Sequence, residues 1–125
     1  MNDDDVDDSL KEKWNEVLKP YDNKLISQEL DRLADLSFET EKNITHLLRY
    51  RAKLYFIVGR YEQALADLTN LLEVESNNTF ALRYRGETYY MMREYEESLA
   101  DLNKLLEINT NDEWALKARE EVIRE

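Results

Sequence analysis

An all-α fold made of stacked helix pairs is predicted for this chain, and three observations predict it. The sequence repeats itself. Shifted by 34 positions, Thr45 falls on Thr79, Leu48-Arg49-Tyr50-Arg51 on Leu82-Arg83-Tyr84-Arg85, and Leu65-Ala66-Asp67-Leu68 on Leu99-Ala100-Asp101-Leu102. Inside each copy the apolar residues recur at helical spacing, and a period of about 34 residues with that internal pattern marks a solenoid of helix pairs. Two glycines and one proline in 125 residues are poor punctuation for an all-β fold and suit helices joined by short turns. A further copy opens at Glu113, where Leu116, Lys117, Arg119 and Ile123 take the places of Leu82, Arg83, Arg85 and Tyr89. The pattern predicts about seven helices in one domain over 9–125, at the common size of a single core.

Composition removes several function classes. Without cysteine there is no disulfide framework, thiolate nucleophile or cysteine-ligated zinc, which favours a reducing, cytoplasmic (intracellular) setting. No apolar run approaches the ~18 residues that span a bilayer. The N-terminus is acidic where a secretory signal would be basic and then apolar, so no membrane is expected. A formal net charge of −11 argues against nucleic acid, whose phosphates call for Lys and Arg.

The elements follow in order. Residues 1–8 hold five aspartates and only Val6 as a buriable side chain, so a flexible acidic tail is expected. It lacks the glycine and distal glutamate of a calcium loop. Asp8 or Ser9 can cap a first helix whose stripe is Leu10, Trp14, Val17 and Leu18, ending at Pro20. A second helix is predicted from about Asn23 to Ser37, with Leu25, Ile26, Leu30, Leu33 and Leu36 facing inward. These two cap the array over 9–44, as a degenerate repeat or capping helices, because solenoid ends need atypical cover. The polar stretch Glu39 to Asn43 is either a connector or the first turn of the next helix.

Repeats are expected at 45–78 and 79–112, with a half repeat or capping helix at 113–125. Thr45 and Thr79 stand where N-caps belong. Leu48, Arg51, Ala52 and Tyr55 form the inward face of one first helix, and Leu82, Arg85, Gly86 and Tyr89 that of the next. Gly59 supplies the turn that ends the first of these. The following copy has Arg93-Glu94 there, so its turn must form without glycine. The second helices carry Tyr61, Ala64, Leu65, Leu68, Leu71 and Leu72, then Tyr95, Ser98, Leu99, Leu102, Leu105 and Leu106. Small residues at Ala52, Gly86, Ala64 and Ser98 let helix axes approach, so a large side chain at Gly86 should overpack the crossing. In the last helix, Ala115, Leu116, Ala118, Val122 and Ile123 give an apolar side, opposite Glu113, Lys117, Glu121 and Arg124.

At these residues the chain resembles the tetratricopeptide repeat. Leu48, Ala52, Tyr55, Ala64 and Leu68 answer that family's pattern in one copy, as Leu82, Gly86, Tyr89, Ser98 and Leu102 do in the next. It departs where the family often has proline, at Ser76 and Thr110, and where it has alanine, at Leu71 and Leu105. The resemblance covers 45–125. It implies a right-handed α-solenoid of helix-turn-helix repeats whose first helices line a concave groove.

Catalysis finds no support. His46 is the only histidine, no phosphate-binding glycine loop appears, and the carboxylates fall on helix surfaces. No enzyme, cofactor or metal is expected. Arg51 and Arg85 are read as structural partners of Asp67 and Asp101 inside each repeat, stems packed and forks bound to carboxylate. Asp101→Leu is expected to cost more than Arg85→Leu, because it leaves a partly buried cation.

The first helices carry Arg49, Arg51 and Lys53 with no acid over 45–58, while the second carry Glu62, Asp67, Glu73 and Glu75 with no base over 61–78. By the resemblance this makes the groove more basic than its back. Its lining positions would be His46, Arg49, Lys53 and Phe56, then Phe80, Arg83, Glu87 and Tyr90, then Trp114, Lys117 and Glu121. Cations beside exposed Phe56, Phe80, Tyr90 and Trp114 suit an extended peptide with acidic and apolar residues.

The expected function is therefore a non-catalytic protein-interaction adaptor with a protein or peptide ligand. The alternative is a structural module, or an excerpt of a longer array, that forms homo-oligomers through its terminal helix faces. Family members that hold chaperone C-termini use a clamp of basic and asparagine side chains. Arg49 and Lys53 could begin one, but Tyr84 replaces the asparagine, and Trp114 and Ala118 replace the bases. Carboxylate-clamp binding is not expected.

Overall fold

The computed structural model describes residues 23–34 and 41–125. The expected acidic tail and the expected helix from Ser9 to Pro20 lie outside them. Six helices fill the described residues: α1 (Asn23–Ala34), α2 (Glu41–Val58), α3 (Tyr61–Val74), α4 (Thr79–Met91), α5 (Tyr95–Ile108) and α6 (Glu113–Arg124). There is no strand among those residues. Each helix packs on the one before it, and α2 also touches α4, which makes the fold an all-α helical-repeat solenoid.

The core runs the length of the stack. Ile26, Leu30 and Leu33 of α1 close under Leu48, Ala52, Leu54 and Tyr55 of α2, and Ala64, Leu68 and Leu71 of α3 continue the layer. Leu82, Leu105 and Ala115 carry it on, then Leu102, Ala118 and Val122. The small residues act as expected. At Gly86 a Cβ would sit 3.4 Å from the Leu102 side chain. Ser98 Oγ donates to the Gly86 carbonyl at 2.7 Å, which ties α5 to α4 at their crossing.

Arginine–aspartate forks bind the two helices of each repeat. Arg51 Nε and Nη2 donate to Asp67 at 2.8 and 2.7 Å, and Arg85 repeats both bonds with Asp101 at the same lengths. Hydrogen bonding to Asp101 is the largest influence on Arg85 and raises its pKa, against the opposing effect of burial.

The turns show what the repeat needs. Gly59 has φ of 83°, and Arg60 N donates back to the Tyr55 carbonyl at 2.8 Å. One period later Glu94 N makes the same bond to Tyr89 at 2.8 Å, with Arg93 forced to φ of 64°. The turn forms without glycine by placing an L-residue in the left-handed region, where the Cβ is crowded.

Several expectations are corrected. Helix α2 starts at Glu41, so Thr45 lies inside it rather than at its cap. The cap of α4 is Asn78, not Thr79; its side chain accepts from Ala81 N at 2.9 Å. Leu25 is exposed, because α1 turns Ile26, Leu30 and Leu33 toward α2 instead. Glu121 is buried and Ile123 is 65% exposed, the reverse of their expected sides. Leu36 lies outside the described residues.

Candidate functional site

The residues expected to line the groove divide into three groups. The first is a cationic step between α2 and α4. Phe80 projects from the first turn of α4, the Arg49 guanidinium lies 4.6 Å from its ring centre, and the Lys53 ammonium lies 5.8 Å away. Arg49 and Lys53 are one turn apart on α2, so both can reach one ring. Burial, and secondarily the charge of Arg49, lower the Lys53 pKa. No carboxylate of the described residues lies within ion-pair distance of Arg49, which is exposed. His46 is exposed one turn earlier on α2.

One period on, the same step recurs between α4 and α6. Arg83 stands 4.8 Å from the Trp114 ring centre, as Arg49 stands over Phe80. Here Asp112 differs from its counterpart Asn78. It caps α6 by accepting from Ala115 N at 3.0 Å, and its other oxygen accepts from Arg83 Nη2 at 2.8 Å. Lys117 is exposed on α6, one turn past Trp114.

The remaining aromatics are not brought to this face as expected. Phe56 is 4% exposed and sits edge-on to Tyr84 with ring centres 5.6 Å apart, so it belongs to the core. Tyr84 in turn lies 4.5 Å from Phe80, so the buried pair supports the half-buried ring of the step from beneath. Tyr90 is half-buried against Tyr95, and its hydroxyl donates to Glu125 at 3.1 Å. Glu87 and Glu121 are buried, which takes both carboxylates off the lining. Asn78 and Asp112 escaped the sequence reading, although the Asn or Asp just before each helix was the available signal. The ring-over-cation contacts also had one, since Arg49 to Phe80 and Arg83 to Trp114 share a single spacing.

The Tetratricopeptide repeat family model matches residues 79–112, which hold α4, α5 and the turns around them. That stretch is a tetratricopeptide repeat, and the described residues carry the fold of stacked repeats of this kind. No curated protein matches the chain significantly. Solved tetratricopeptide-repeat structures do. The first TPR of Spaghetti (RPAP3), bound to the HSP90 peptide SRMEEVD, is similar with a TM-score of 0.69 at 21% identity, over 93% of this chain and 89% of that one. The Arabidopsis OM64 TPR domain gives 0.68 at 19% identity over 98% of each chain. The myosin chaperone UNC-45 from C. elegans, in complex with an Hsp90 peptide, gives 0.72 at 18%, over 99% of this chain and 14% of that one. At these identities the likeness is one of fold. Tetratricopeptide repeats are protein–protein interaction modules, and no helix among the described residues is long and apolar enough to cross a membrane.

Proposed function

We propose that this tetratricopeptide-repeat chain is a non-catalytic adaptor that holds an extended peptide with acidic and apolar side chains along the face shared by α2, α4 and α6. The observation that carries this reading is the Arg49–Phe80–Lys53 step. It places two cations over one ring, and Arg49 has no carboxylate of the described residues within ion-pair distance. A peptide carboxylate meeting Arg49 gains a charge-assisted bond, while its apolar neighbour covers Phe80.

The ligand is not proposed to be a clamped chaperone tail. Tyr84 is buried where the clamp calls for asparagine, and Trp114 and Ala118 stand where it calls for bases. The HSP90 peptide SRMEEVD, which the Spaghetti domain binds, is therefore the comparison probe.

The test is fluorescence anisotropy with a labelled acidic–apolar peptide and with labelled SRMEEVD. The acidic–apolar peptide should bind more tightly, weaken with added salt, and lose about tenfold in affinity on Arg49→Glu. Equal binding to wild type and Arg49→Glu would reject the step as the site. Tighter binding of SRMEEVD would restore the clamp.

A second reading, homo-oligomer formation through the outer face of α6, is favoured by the exposure of Ile123. Ile123→Glu is its probe, because the Val122 side chain is buried and a charge there would disturb the core. Light scattering that shows a concentration-dependent dimer in wild type and a monomer in Ile123→Glu would support it.

A further inference from the structure

The two steps of the groove are built alike but charged differently. On the α2–α4 step, the helix cap is Asn78, a neutral side chain that accepts from Ala81 N at 2.9 Å. On the α4–α6 step the equivalent cap is Asp112, which performs the same service at 3.0 Å and adds a carboxylate. That carboxylate faces Arg83 at 2.8 Å, with side-chain exposures of 36% for Arg83 and 9% for Asp112. Both steps therefore offer an aromatic ring beneath a guanidinium. Among the described residues, only the first has no carboxylate within ion-pair distance of its guanidinium.

Resting on the groove reading above, we propose that Asp112 is a specificity-determining residue. It makes the groove accept a peptide with one carboxylate at the Arg49–Phe80 step and an uncharged side chain at the Arg83–Trp114 step, and disfavours a second carboxylate there. Packed helices lie about 10 Å apart, and an extended chain advances about 3.3 Å per residue. The two recognised side chains should thus be about three residues apart. The interactions divide accordingly. At the first step the ligand carboxylate meets Arg49 with Lys53 beside it. At the second, a ligand carboxylate would have to displace Asp112 or sit against it, and like charges at that distance repel. An apolar side chain over Trp114 escapes that repulsion. Because Asn78 caps α4 without a charge, Asp112→Asn keeps the cap and removes only the counter-charge.

The experiment compares two fluorescent peptides that differ only in the residue three positions from a shared glutamate, one with Leu and one with Glu. Wild type should prefer the Leu peptide. In Asp112→Asn the preference should move toward the Glu peptide by about three- to fivefold, the worth of one exposed ion pair. Asp112→Ser, also a competent cap, should behave as Asp112→Asn does, and circular dichroism should show both folded. In parallel, acetate is titrated while the arginine Nε–H resonances are followed by NMR. Arg49 should respond in wild type and Arg83 only in the Asp112 variants. An Arg83 response in wild type, or an unchanged peptide preference in both variants, overturns the role of Asp112 and leaves the groove reading standing. If the acetate responses are as expected but neither peptide binds, the groove reading fails and the peptide preference fails with it.

Discussion

The fork between Arg85 and Asp101 can be weighed by removing each partner in turn. From sequence the aspartate substitution was expected to be the harsher. The exposures reverse that order: the Asp101 side chain is 6% accessible and that of Arg85 is 22%. Arg85→Leu strands the more deeply buried charge and removes two charge-assisted bonds, of 2.8 and 2.7 Å. Breaking a buried pair from one side costs about 3–5 kcal/mol, and the edge position of this one argues for about 3. Asp101→Leu leaves a guanidinium that can extend along its stem to water and keep its 3.3 Å bond to Thr69 Oγ1, so about 1.5 kcal/mol is expected. For a chain of this length these correspond to falls in Tm of about 10 and 5 °C. The double variant with leucine at both positions should return to within about 1 kcal/mol of wild type, since well-packed apolar groups replace such a pair at little loss. Urea denaturation followed by circular dichroism supplies the cycle. Losses that simply add in the double variant, or a larger loss for Asp101→Leu, would refute the reasoning.

The other predictions concern local geometry and charge. Gly86→Ala should be neutral or stabilise by about 0.5–1 kcal/mol, because the new Cβ meets Leu102 at an ordinary 3.4 Å and helix propensity improves; Gly86→Leu should cost about 1–3 kcal/mol by overpacking, both read from thermal melts. Arg93→Gly should stabilise by about 1 kcal/mol by relieving a left-handed residue, while Gly59→Ala should destabilise by a similar amount. Lys53 should titrate below its ordinary value of 10.5, mainly through burial. Arg49→Gln should restore it only in part, and an Nζ titration by NMR that sees no change would deny the two cations their shared ring. With the folded value below the unfolded one, the unfolded chain binds this proton more tightly. The residue's contribution to stability therefore rises with pH until the ordinary value is passed.

Much of the fold was legible because the repeat is written into residues whose only requirement is periodicity. The pairing of Arg51 with Asp67 and of Arg85 with Asp101 could be read for the same reason, since one spacing occurs twice and each pair joins two adjacent helices. Burial of a particular aromatic was not legible. Phe56 and Phe80 both belong to the first helices of repeats, but Phe56 stands in the last turn of α2 and Phe80 in the first turn of α4, so different neighbours lie across from them. Phe56 meets Tyr84 and Tyr61 in the core, while Phe80 stays half-buried under Arg49. Likewise Glu87 occupies a groove position by count yet is buried, because helical register assigns a face and the neighbouring helices decide how much of that face is covered. The cap of α4 was missed by one residue, Asn78 for Thr79, whereas Thr45 lies four residues inside α2. A shift that small matters because Asp112, at the same place one period later, carries the charge that distinguishes the two steps.

Peptide recognition is proposed to be seated on the face formed by α2, α4 and α6. Amide chemical-shift mapping during titration with the glutamate–leucine peptide tests it most directly. The largest changes are expected around Arg49, Lys53, Phe80 and Trp114, with the outer residues of α3 and α5 unmoved. Changes confined to α3 and α5, or to the outer side of α6 around Ile123, would contradict it.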